Sequence, residues 1–292
     1  GLKKRGIAGV EETIARIIQL DDDRKKIQFD ADNAASEANE VAKKIGGLMQ
    51  SGKKDEAMAA RSAAGALKDK KEKLQQEQKD LEGELTSILY QIPNVPNEIV
   101  PEGKSDADNV VLSEHGTHVT LGEGNKPHWE LIKDYDIIDF DLGNKITGAG
   151  FPVYKGKGAR LQRALINFFI DEATHKGYEE VIPPILVNEA SGYGTGQLPD
   201  KDSQMYVASA DNLYLVPTGE IPIMNMYRDV MLKEDQLPVK HVGHTPCFRR
   251  EAGTWGANVR GLNRLHQFDK VEVIQATLPK DSYAALEDMK SH

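Results

Sequence analysis

Residues 247–274 read CFRREAGTWGANVRGLNRLHQFDKVEVI. Val242 to Arg250 and Leu265 to Gln275 each have the composition of a strand, and Ala252 to Asn263 between them carries Gly253, Gly256 and Gly261. The pattern predicts a β-hairpin with a long flexible loop. A period of two places Arg264, His266, Phe268, Lys270 and Glu272 on one face of the second strand, with Arg249 and Glu251 on its partner. An aromatic ring flanked by arginines and carboxylates offers a stacking surface, a phosphate clamp and acceptors for amino groups. That set suits a nucleotide. A solvent-exposed ladder of cross-strand ion pairs is the competing reading.

These arginines belong to an acidic chain. Its 292 residues have a formal net charge of −9, with 39% hydrophobic and 28% charged positions. The length admits one large domain or two ordinary ones, and the charge argues against a generally basic nucleic-acid coat, so a polyanion has to be met by a local patch. The single cysteine, Cys247, allows no intrachain disulfide and no multi-cysteine zinc site, which points to a reducing compartment. No stretch approaches the roughly 18 apolar residues of a membrane span, and Gly1-Leu2-Lys3-Lys4 does not resemble a signal peptide. The expectation is a soluble, cytoplasmic chain with no membrane partner and no resident metal site. Because the chain starts without Met and stops at Met289-Lys290-Ser291-His292 inside a helix-like run, residues are expected beyond both ends.

The first third has a different rhythm. Leu20, Arg24, Ile27, Ala31, Ala34, Ala38, Val41, Ile45 and Leu48 follow at alternating spacings of three and four, the seam of a coiled coil. Ala57, Ala60, Ala64, Leu67, Lys71, Leu74, Gln78, Leu81, Leu85 and Ile88 form a second such register. Between them, Gln50-Ser51-Gly52-Lys53-Lys54-Asp55 reads as a turn, so two helices of roughly 30 residues each, about 45 Å long, fold back antiparallel. The many alanines allow close packing but bury too little surface for a third layer, so the hairpin is expected to project into solvent. A spacer or dimerisation coiled coil is the plain reading. With 13 Lys/Arg against 15 Asp/Glu between 21 and 90, nucleic-acid binding would rest on shape and a few phosphate contacts, Lys68, Lys70, Lys71 and Lys73 being candidates. Three prolines, Pro93, Pro96 and Pro101, then end the helical pattern and mark a linker. The expected division is a helical arm and linker over 1–104 and a second domain over 105–292.

Past the linker, Gly158 to Lys176 reads as an amphipathic helix with Leu161, Leu165, Phe168 and Phe169 on its apolar side. Gly177 to Leu186 reads as a strand cut short by Pro183-Pro184, suited to a sheet edge or a subunit boundary. Asn212 to Glu220 reads as a short strand leading to a turn that presents Thr218, Gly219 and Glu220; by itself such a turn is weak evidence.

The spacing Phe248-Arg249-x-Glu251 followed by Arg264-x-x-x-Phe268-x-x-x-Glu272 resembles motif 2 of class II aminoacyl-tRNA synthetases, and Arg249 to Glu272 as a whole is similar to bacterial-type seryl-tRNA synthetases. Gly177 to Leu186 resembles motif 1, with Pro184 as its proline; Tyr193 to Pro199, the Thr218-Gly219-Glu220 turn and the antiparallel arm resemble the same family. The resemblance implies an α+β fold: a coiled-coil arm followed by an antiparallel sheet flanked by helices, incomplete after motif 2 because motif 3 is absent. It implies ATP-dependent activation of serine and transfer to tRNA(Ser), with tRNA(Sec) as a further acceptor. It implies ATP and Mg2+ as cofactors, the arm as the tRNA contact and a homodimer.

The resemblance also distributes roles. Arg249 would bridge the α-phosphate and the serine carboxylate, and Arg264 would meet the terminal phosphates; both are the catalytic candidates. Arg250 and Leu265 would join them around ATP, Glu251 would accept from the adenine amino group, and Phe268 would stack on the adenine. Thr218, Gly219, Glu220, Arg249 and Glu272 would hold serine, Glu272 pairing its ammonium. Two departures stand out: Gly219 replaces the family's alanine, adding backbone freedom and loosening the pocket, and Ala257-Asn258-Val259 replaces Arg-Asp-Thr in the motif 2 loop. The alternative is a non-catalytic, synthetase-like module that binds tRNA or another partner through the arm.

Overall fold

The computed structural model describes residues 1–252 and 260–292; Gly253, Gly256 and the Ala257-Asn258-Val259 departure lie outside the described residues. The chain divides into two compact units, Gly1–Thr117 and His118–His292.

In the first unit, α1 (Val10–Gln50) and α2 (Lys54–Leu89) pack side by side along their length. Every residue of the two seam registers is buried or half-buried, with Leu20, Ala31, Ala34 and Ala57 the most enclosed. The apolar period chose the seam correctly because only that stripe can be hidden when two helices meet. Arg24 is tolerated there because its guanidinium turns onto Asp21, 2.8 Å away. Gly52, at φ 75°, supplies the left-handed residue of the tight reversal. With 41 and 36 residues, both helices are longer than expected. The early start of α1 at Val10 places Glu11 and Glu12 in its first turn, where carboxylates favour the helix dipole. The two helices are tied by Arg16 and Glu84 at 2.6 Å.

The second unit contains α3 (His128–Asp134), β1 (Ile138–Asp139), α4 (Phe140–Ile146), β2 (Val153–Tyr154), α5 (Gly156–His175), β3 (Glu179–Glu180), β4 (Leu186–Asn188), α6 (Glu189–Gly194), β5 (Val207–Ala208), β6 (Leu213–Leu215), α7 (Glu220–Asn225), β7 (Val239–Phe248), β8 (Gln267–Ala276) and α8 (Ser282–Ser291). Its main sheet has the order β3-β7-β8, built on an antiparallel ladder running from Val239↔Ala276 to Phe248↔Gln267. β3 adds to β7 in parallel and is only two residues long. After Val181, which still donates to Val242, Pro183 and Pro184 have no N–H to continue the ladder. The antiparallel sheet β4-β6-β5 lies beside α6 and α7 over a core of Val187, Leu198, Met205, Val216 and Ile221.

α5 covers one face of the main sheet, where Ala173 packs with Tyr178 and Val242 against Val271 and Val273. Gly158 lets the start of α5 pass the segment that leads into β1, since a Cβ there would lie 2.2 Å from the Ile137 carbonyl oxygen. The residues that α5 buries are Gly158, Ile170 and Ala173. Leu161, Leu165, Phe168 and Phe169, expected on its core side, are 46–56% exposed. The helix therefore carries more apolar surface than its own unit covers.

Candidate active site

The hairpin register sets Cys247, Thr245 and Gly243 opposite Phe268, Lys270 and Glu272. At the loop end, the Arg249 guanidinium sits 5.1 Å from the Phe268 ring centroid. Arg249 is anchored twice, Nε donating to the Pro217 carbonyl at 3.2 Å and its backbone N–H to the His266 carbonyl at 3.0 Å. Glu251 follows with φ 48°, a left-handed conformation that only a few per cent of non-glycine residues adopt. That turn aims its carboxylate, only 11% exposed, at Arg264 Nη1, 2.8 Å away. Arg249, Glu251, Arg264, Leu265 and Phe268 line one cleft of about 470 Å3. Five of the six residues expected around ATP are thus brought together. The sixth, Arg250, is exposed and is not among the residues lining this cleft; its backbone N–H donates to the Gln204 carbonyl at 2.8 Å.

One turn further along β8, a second constellation forms at the start of α7. Thr218, nearly fully buried, donates to Glu272 at 2.8 Å, and the backbone N–H of Glu220 donates to Glu272 Oε2 at 3.0 Å. Lys270 Nζ lies between the two side chains, 2.8 Å from Thr218 Oγ1 and 2.7 Å from Glu272 Oε1. The Glu220 side chain itself is exposed, so its backbone makes the contact within this group. Gly219 has φ −67°, so the freedom expected of it is not used. What it supplies is space: a Cβ there would lie 3.0 Å from Thr245 Oγ1 and 3.3 Å from Glu272 Oε2.

Neighbours that the strand pattern alone does not reveal hold this face in place. The Tyr206 hydroxyl meets His266 Nδ1 at 2.6 Å, and the His266 ring stacks on Phe151. Gly150, at φ 84°, lets the chain pass that ring, since a Cβ there would come within 2.3 Å of His266 Cδ2. His128 Nε2 accepts from the backbone N–H of Leu262 at 2.9 Å, tying the return end of the motif 2 loop to α3. Burial pushes the Cys247 thiol up, so the one cysteine stays a neutral packing residue beneath the face. The period of two had placed Lys270 beside Glu272, and His266 on the same face, but nothing in it could show that Thr218 joins the lysine or that Tyr206 meets the histidine. Among the described residues no group of three or more His, Cys, Asp or Glu side chains is placed to hold a metal ion.

Comparison with known proteins agrees with this geometry. Residues 1–96 match the model of the seryl-tRNA synthetase N-terminal domain, and residues 206–292 match that of the tRNA synthetase class II core domain (G, H, P, S and T). The chain is 41% identical over 286 residues to the serine–tRNA ligase of Salinibacter ruber, covering 98% of this chain and 67% of that protein. It is 40% identical over 296 residues to that of Clostridium tetani, covering 98% and 68%. Among solved structures, the seryl-tRNA synthetase of Pyrococcus horikoshii complexed with ATP superposes with a TM-score of 0.85 at 28% identity, covering 99% of this chain and 69% of that one. The Naegleria fowleri enzyme, in complex with AMP, shares the fold with a TM-score of 0.76 at 22% identity. The chain thus spans about two thirds of the length of the relatives it matches, and across that span it belongs to the seryl-tRNA synthetase family of class II aminoacyl-tRNA synthetases.

Proposed function

We infer that the protein is a serine–tRNA ligase, activating serine with ATP and transferring the seryl group to tRNA(Ser). The observation that carries this reading is the adjacency of the Thr218–Glu272 pocket and the Arg249–Phe268 cleft on one strand face. A site suited to an amino group beside a site suited to a nucleotide is what amino-acid adenylation requires.

In this reading the amino acid's ammonium pairs with Glu272, its carboxylate turns toward Arg249, and the adenine lies on Phe268 with Glu251 accepting from its amino group. A carboxylate oxygen attacks the α-phosphorus, the bond to the β-phosphate breaks, and pyrophosphate leaves. The terminal ribose hydroxyl of the tRNA then attacks the seryl carbonyl and AMP departs. No protein nucleophile is needed; holding the two reactants in line and placing cations where charge moves provides the acceleration. Arg249, fixed by its contacts to Pro217 and His266, is such a cation. Arg264 meets the outer phosphates, trading its ion pair with Glu251 for them, an exchange its 51% exposure makes easy. Leu265 forms part of the cleft wall, and Arg250, exposed and next in the chain to Arg249, would reach the phosphates from outside that wall. Mg2+ in this reading would be held mainly by the nucleotide's own phosphates, where it would neutralise their charge.

The coiled-coil arm is the tRNA(Ser) contact in this reading, supported by the match of residues 1–96 to the family's N-terminal domain. The exposed apolar side chains of α5, together with Ile182 at 87% exposure before the two prolines, support a homodimer. No helix among the described residues is long and apolar enough to cross a membrane; a cytoplasmic site of action is part of the same reading. The test is serine-dependent exchange of pyrophosphate into ATP by the full-length protein, followed by charging of tRNA(Ser). A non-catalytic, tRNA-binding module predicts no exchange with any amino acid.

A further inference from the structure

Glu272 and Thr218 already hold an ammonium group, and it belongs to the protein. Lys270 Nζ donates to Glu272 Oε1 at 2.7 Å and to Thr218 Oγ1 at 2.8 Å. Glu272 Oε2 accepts from Thr218 and from the Glu220 N–H, so the lysine takes a large share of the remaining capacity of a carboxylate with about four lone-pair directions. A lysine ammonium and the α-ammonium of an amino acid are the same chemical group, a compact cation with three N–H donors. We propose that Lys270 is an internal stand-in for the substrate's ammonium, holding the Thr218–Glu272 pocket and exchanging with the amino acid when it binds. The proposal rests on the ligase reading and adds to it a residue that sets specificity.

Two observations and one electrostatic constraint carry it. Glu272 is only 16% exposed, so without a cation it would be a nearly buried, unpaired carboxylate. Lys270 is 32% exposed on a four-carbon stem, so its head group can withdraw to solvent while its backbone stays in the ladder opposite Thr245. Two ammonium groups on one carboxylate would repel each other and compete for the single Thr218 hydroxyl. The exchange therefore conserves charge: one cation leaves as another arrives. A ligand without a positive amino group gains nothing that repays the loss of Lys270 from Glu272, so the lysine selects for amino acids over hydroxy acids of the same shape.

The first test uses the unaltered full-length protein and an amine-selective acetylating reagent, with labelling of Lys270 read by peptide mass spectrometry. Saturating serine should speed that labelling at least about threefold, relative to an equal concentration of taurine that consumes the same reagent. The second test is Lys270→Met, with Lys270→Gln as a milder version, in pyrophosphate exchange. Removing the internal competitor should lower the serine KM at least about threefold while the ATP KM stays within about twofold. A lysine that merely positions Glu272 predicts the reverse: labelling slowed or unchanged by serine, and a serine KM that rises in both variants. Either result overturns the proposal while leaving the ligase reading intact. Loss of serine-dependent exchange in the unaltered protein overturns the ligase reading, and the stand-in with it.

Discussion

The Thr218 hydroxyl lies 2.8 Å from the Glu272 carboxylate, although 54 residues of chain separate them. Thr218 arrives at the start of α7 and Glu272 on β8, and the Glu220 N–H closes the group at 3.0 Å. Glu272→Gln preserves this shape and removes the charge. The serine KM should rise about tenfold or more, the loss of one charge-assisted hydrogen bond, while the ATP KM moves less than about twofold. Titration of both substrates in pyrophosphate exchange measures this. An unaltered serine KM in the folded variant would remove the residue-level support for an amino-acid pocket here.

The Arg249 guanidinium and the Phe268 ring, 5.1 Å apart, are assigned to different parts of the reaction and should separate kinetically. Phe268→Leu removes the stacking surface and should raise the ATP KM about tenfold, with serine little affected. Arg249→Ala should weaken both substrates and lower kcat as well, because it faces charge that shifts during adenylation. Equal effects of the two variants on ATP alone would count against the bridging role of Arg249.

The arm should be dispensable for the first half-reaction. Deleting Asp21 to Ile88 from the full-length protein is expected to leave serine-dependent pyrophosphate exchange within about threefold of normal while abolishing charging of tRNA(Ser). Parallel loss of both activities would reject the arm as a tRNA-only element.

The α5 surface predicts self-association. Light scattering of the full-length protein at micromolar concentration should give twice the chain mass, and Phe168→Asp, which places a charge on an exposed apolar helix face, should shift it toward monomer without loss of helix content. A protein that is monomeric before any substitution would refute this.

Periodicity carried a large part of the fold. The two seam registers of the arm reappear residue for residue as the enclosed faces of α1 and α2, because a long helix pair has only one stripe to hide. The hairpin was legible for the same kind of reason: alternation over ten residues assigns side chains to faces, so Phe268, Lys270 and Glu272 had to lie together. Which side chains of α5 are covered was not legible, since an apolar stripe does not say whether its own unit or another surface meets it.

What the sequence determined by itself was the set of chemical groups and the faces on which the local backbone geometry puts them, because strand and helix periods are properties of a few consecutive residues. The tertiary structure decided which of those groups face one another. Thr218 approaches Glu272 only through the packing of α7 beside β8, and Glu251 finds Arg264 only because its backbone turns left-handed at φ 48°. Lys270 shows the division most plainly: strand alternation placed it on one face beside Glu272, two residues on, but its other partner, Thr218, comes from 52 residues away, a contact that no local period encodes.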